Sequence, residues 1–130
     1  MKKIIVLVTV FLLSSPLMAQ NKTAAADENF TAFLKKFTAD KNFQLSRVNF
    51  PMTVKMNNDD LELADYVITK SNYNMIKLND KGSDYKQKDD HKSKTIVINR
   101  RGTDNGIYVD YVFHKIKGQW YLKTWVDMST

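Results

Sequence analysis

The chain has 130 residues, 20 Lys and Arg against 14 Asp and Glu, no Cys, and 43% hydrophobic residues. This length suits one compact domain, and the missing Cys excludes a disulfide framework and a cysteine-based zinc site. Basic and acidic residues are interspersed, as in KGSDYKQKDDHKSK (81–94), so no basic stripe or groove-entering module points to nucleic acid.

The first 19 residues have the three-part build of a secretory signal peptide: Lys2 and Lys3, the apolar run IIVLVTVFLL, then SSPLMA with Pro16 and Ala19. The apolar run is about half of the roughly 20 residues a membrane span needs. Cleavage after Ala19 would leave 111 residues, with no membrane span, and Leu17 leaves the exact cut open. No Cys follows the apolar run, so a lipoprotein is not expected, and the chain should be periplasmic or secreted. Loss of Lys2 and Lys3 lowers the formal charge from +6 to about +4. The expected organisation is a signal peptide over 1–19, a flexible leader over 20–28 and a single domain over 29–130. Beyond the signal lie 6 Phe, 6 Tyr and 2 Trp, side chains that bury roughly 150–250 Å² each.

Asp27 or Asn29 is placed to cap a helix. Phe30, Phe33, Leu34 and Phe37 then recur at i, i+3, i+4 and i+7, one apolar stripe at helical period. In NFQLSRVNFPM (42–52) the period changes. Phe43 and Leu45 are odd-numbered, whereas Val48, Phe50, Met52, Val54 and Met56 are even-numbered, so one uninterrupted strand cannot bury both sets. Residues 43–45 therefore read as a helical turn or loop and 47–56 as a strand. Pro51 marks an edge or a bulge there, and Arg47 is expected to hold its charge outside, near Asp40.

NNDD (57–60) reads as a turn and residues 61–70 as a strand. Residues 71–80 suggest a short helix capped by Ser71 or Asn72, and 81–94 a solvated polar loop. KTIVINR (94–100) is a β-branched strand and RGTDNG (101–106) a turn. The rest predicts a β-hairpin turning at Lys117–Gly118. With an unbroken register, Phe113–Leu122, Tyr111–Thr124 and Val109–Val126 share an apolar face packed on the helix. The other face then carries Tyr108, Asp110, His114, Tyr121, Lys123, Trp125 and Asp127, the candidate pocket or surface cluster. A carboxylate beside Tyr and Trp can have its pKa raised, as proton transfer requires. Cross-strand pairs on an outer sheet face account for the same residues more simply. A bulge would change these partners.

Other chemical signals are sparse. Asp89, Asp90 and His91 are ligand types, but adjacent side chains rarely converge, and no metal or cofactor is expected. There is no phosphate loop or GxSxG elbow, and DDLELAD (59–65) lacks calcium-loop spacing.

ENFTAFLKKFTADKNFQLSRVNFPM (28–52) resembles the opening of a family of small exported bacterial domains, domain of unknown function 4348. In that family an aromatic helix precedes a run matched here by Phe43, Gln44, Ser46, Arg47, Val48, Phe50 and Pro51. YVFHKIKGQWYLKTWVDMS (111–129) is similar to the closing hairpin of that family and of many nuclear transport factor 2-like domains. The resemblance implies an α+β, nuclear transport factor 2-like or cystatin-like fold, with helices on a curved, mostly antiparallel sheet ending in a long hairpin. It implies no activity. The functional expectation is a non-enzymatic exported module binding a small apolar ligand or a protein partner. One alternative is a pocket isomerase or hydrolase using Asp110 or Asp127 with Tyr108, Tyr121 or His114. Another is a protein inhibitor presenting the 81–94 loop.

Overall fold

A computed structural model describes residues 27–78, 83–90 and 94–130; within 83–90 only the side chains of Asp84 and Lys86 are described, both exposed. The expected signal peptide and His91 lie outside these residues. Two helices, α1 (Phe30–Ala39) and α2 (Lys41–Ser46), precede six strands: β1 (Met52–Asn57), β2 (Leu63–Ile68), β3 (Ser83–Asp90), β4 (Thr95–Gly102), β5 (Tyr108–Ile116) and β6 (Gln119–Asp127). The strands form one sheet in the order β2-β1-β6-β5-β4-β3. All pairings are antiparallel except β1 with β6. The architecture is therefore α+β with a mixed sheet.

Local chemistry starts and stops the helices. The Asn29 side chain accepts from the Ala32 N–H and begins α1. Asp40 ends α1 in an extended conformation and caps α2 by accepting from the Phe43 N–H. Phe30, Phe33 and Phe37 turn inward as the period predicts. Their rings pack around Phe113 of β5, which is 0% exposed, with centroids 5.4–5.7 Å away. Met52 and Val54 of β1, Ile96 and Ile98 of β4, and Trp120 and Leu122 of β6 complete this core.

The phase break near residue 45 is real, but the strand expected over 47–56 begins only at Met52. Val48 makes an isolated parallel bridge to Leu122, and a cis Phe50–Pro51 bond precedes β1. Pro51 thus lies outside the ladder, and the strand at the sheet edge beside β1 is β2. Residues 71–78 are not helical. Buried Gln44 captures them in irregular backbone: its Nε2 donates to the carbonyls of Phe37 and Ile76, while its Oε1 accepts from the Ile76 N–H and the Tyr73 hydroxyl. The expected 81–94 loop contains β3, which pairs with β4 from Ser83↔Gly102 to Asp90↔Thr95. Its Lys/Asp alternation has no apolar period, so ladder pairing makes it a strand.

Arg47 also departs from expectation. It lies inside, bidentate to Glu28 at 2.7 and 3.0 Å, and its guanidinium also donates to the Trp120 carbonyl. Phe43 and Tyr121 stack on it at 4.6 and 5.6 Å. Glu28, assigned by sequence to the leader, accepts from the Trp120 N–H and donates its own N–H to the Gly118 carbonyl. Asp40 is committed to capping α2 instead.

Candidate functional site

The hairpin turns where expected. Lys117 and Gly118 have φ of 49° and 77° between Ile116 and Gln119, the two positive values of a type I′ turn. Pairing follows the unbroken register through Ile116↔Gln119, His114↔Tyr121 and Phe113↔Leu122. A bulge at Lys123 then shifts it to Val112↔Thr124, Tyr111↔Trp125 and Asp110↔Val126. One extra residue reverses the faces of all that follow.

The candidate cluster lies in four places. Trp125 turns to the core side against Tyr111 and Tyr73, each at 6.4 Å. Asp127 pairs with Val109 and accepts from the Ser129 N–H. Tyr108 and Asp110 sit beside β4, where Asp110 accepts from Asn99 Nδ2 at 2.7 Å and Arg101 at 2.8 Å. Arg101 stacks 3.4 Å over the Tyr108 ring. His114, Tyr121 and Lys123 remain together.

Those three line a cleft of about 460 Å³ with Asn49, Thr53 and Thr124, over an apolar floor of Pro51, Met52, Ile116 and Leu122. Its origin is topological. β1 meets β6 at the Val48↔Leu122 bridge and again at Lys55↔Val126. Between those points one chain has six residues and the other three, so residues 49–54 bow away from β6. The Thr124 hydroxyl spans part of the gap by donating to the Thr53 carbonyl at 2.7 Å. The cleft therefore opens on the sheet face opposite the helices. Sequence reasoning named its hairpin wall but missed Asn49 and Thr53, because a three-residue mismatch between distant strands leaves no local pattern.

No carboxylate lines this cleft. No group of three or more His, Cys, Asp or Glu side chains able to hold a metal occurs among the described residues. The perturbed groups lie elsewhere. Burial, reinforced by Tyr111, pushes the Tyr73 hydroxyl above its ordinary value. Desolvation raises the Glu28 pKa, but hydrogen bonds from Arg47 and Trp120 and the charges of Arg47 and Lys36 outweigh it, leaving the carboxyl below its ordinary value.

A second exposed feature lies at the sheet edge. β2 is hydrogen-bonded on one side only. Among the described residues six large hydrophobic side chains are exposed. Four lie here: Leu61 at 63%, Leu63, Tyr66, and Val67 at 58%. No helix among the described residues is long and apolar enough to cross a membrane.

Two solved structures share this architecture. The crystal structure of a nuclear transport factor 2-like protein of Bacteroides fragilis matches with TM-score 0.62 at 18% identity, over 80% of this chain and 48% of that one. This chain thus spans about half the length of that protein. The NMR structure of a Bacteroides uniformis protein matches with TM-score 0.55 at 20% identity, over 78% of each chain. Likenesses at this identity speak to fold alone. No curated protein matches. A family model covers residues 28–129, which take in both helices, all six strands and the cleft; the fold is nuclear transport factor 2-like, and the chain belongs to that uncharacterised family.

Proposed function

We propose that the protein is an exported, non-enzymatic binding module that takes an extended segment of a protein partner along β2. Export rests on Lys2, Lys3 and the apolar run that follows them. The observation that carries the docking reading is the concentration of exposed Leu63, Tyr66 and Val67 on an edge strand, with exposed Leu61 in the turn before it. An open strand edge offers a row of backbone donors and acceptors, which an added strand satisfies, while alternate side chains supply specificity.

The chemistry of the occupant follows from its surroundings. Asp59, Asp60, Glu62 and Asp65 lie within seven residues at the start of β2, and only Asp65 forms an ion pair among the described residues, with Lys55 at 2.7 Å. The favoured segment therefore alternates apolar residues and carries Lys or Arg at the end nearest the 58–62 turn. The isomerase or hydrolase alternative would need a carboxylate, a Tyr and a His in one cavity. Asp110 and Asp127 are hydrogen-bonded elsewhere, and neither lines the cleft that holds His114.

Peptide display against the purified protein, followed by amide hydrogen exchange with the selected peptides, tests this reading. Selected sequences should alternate apolar and basic residues and slow exchange of the β2 amides. Replacing Leu63 and Val67 with Lys should weaken binding about tenfold or more. Peptides that protect other strands, or that bind the double variant equally well, would overturn it. A dimer paired through β2 in sedimentation would replace the foreign partner with a second copy.

A further inference from the structure

We infer that the cleft between residues 49–53 and the β5–β6 hairpin is a second binding site, for a small carboxylate with an apolar body. It opens on the sheet face away from the helices, and its existence does not depend on how β2 is used. Its volume of about 460 Å³ falls within the roughly 300–1,000 Å³ of small-ligand pockets. The floor of Pro51, Met52, Ile116 and Leu122 suits a compact ring or branched chain. The rim carries Lys123, His114, Asn49 and Thr53, together with the Tyr121 hydroxyl, which donates to Gln119, and Thr124.

The electrostatics select the sign of the ligand. Neither Lys123 nor His114 makes an ion pair or hydrogen bond among the described residues. No acidic side chain lines the cleft to neutralise them. Lys123 is exposed, so it repels a cationic ligand through solvent and gains nothing from a neutral one. An anion gains a charge-assisted hydrogen bond there. Lys123 is the extra residue of the bulge and has no partner on β5. Thr124, the next residue, is already committed to the Thr53 carbonyl and helps hold the cleft open.

Benzoate, isosteric neutral benzamide and cationic benzylamine distinguish the possibilities when titrated into the protein by two-dimensional amide NMR. Benzoate should move the amide resonances of Thr53, His114 and Lys123, and benzamide should bind there about tenfold more weakly. Benzylamine should cause no shift in the cleft. Lys123→Met keeps the apolar stem and should reduce benzoate affinity to that of benzamide, with resonances away from the cleft unchanged. Raising salt to 0.5 M should weaken benzoate alone. Equal affinity for benzoate and benzamide, full benzoate binding by Lys123→Met, or shifts confined to other surfaces would overturn the proposal.

Discussion

Gln44 is the one fully buried polar side chain among the described residues, and it uses all of its hydrogen-bonding capacity. Its two donors and two acceptor positions join the end of α1 to the backbone at Ile76, thirty-two residues later. Removing it strands a buried N–H, a hydroxyl and two carbonyls, and each unsatisfied buried group costs roughly 1–3 kcal/mol. Gln44→Leu should therefore lower stability by about 3 kcal/mol, read as a lower urea midpoint with an unchanged slope. A change below 0.5 kcal/mol would mean that residues 71–78 are held by other contacts. Gln44 and Arg47 both sit in the stretch 42–52 where the period changes, and both are consumed by the fold. Their types are visible in sequence. Their partners, 32 and 19 residues away, are not, and partner identity decides whether an arginine is a surface charge or a buried tie.

At the scale of elements, α1, β4 and the hairpin turn were legible because each carries its own signal: a period near 3.6, a β-branched run, and a Lys–Gly pair able to adopt positive φ. β3 and the irregular 71–78 segment were not, since neighbours impose their conformations. The Lys123 bulge lies between these cases. Nothing in GQWYLKTWVD marks it, yet it decides that Trp125 faces Tyr111 and Tyr73 instead of joining Tyr108 and His114. Three of the seven candidate residues, His114, Tyr121 and Lys123, thus line one cleft, and the other four lie elsewhere. Deleting Lys123 should remove the bulge and leave Thr124 opposite Val112 and Trp125 opposite Tyr111, because the residues on either side of the extra one already alternate in face. The tryptophan emission maximum should therefore stay where it is. A red shift, the mark of Trp125 leaving the core side, would show that β6 had slipped its register instead.

Across the whole molecule, Glu28 and Arg47 hold three parts together: the segment before α1, the end of α2 and the hairpin turn. The side chains are 23% and 11% exposed, shielded enough for the pair to matter. The Glu28 pKa lies below its reference value of 4.5 in the folded protein. The unfolded chain therefore takes up this proton at higher pH than the folded one. The stabilisation is complete above pH 4.5 and is lost as pH falls through the folded pKa. Glu28→Gln should cost about 2 kcal/mol at pH 7, where Arg47 loses its charged partner. It should also flatten the fall in stability on acidification below pH 4.5. Equally steep acid profiles for the two proteins would assign the acid sensitivity to other carboxylates.

The strand order carries a kinetic consequence. β6, the last strand of the sheet, occupies an interior position and is the only bridge between the β1–β2 pair and the β3–β5 meander. Contacts such as Val48↔Leu122 and Lys55↔Val126 span about seventy residues, so they cannot begin to form until nearly the whole chain has been made. Such non-local closure is slow. Until β6 is made, the sheet is still in two pieces. Under the proposed export, that delay would keep the domain open for threading through a membrane.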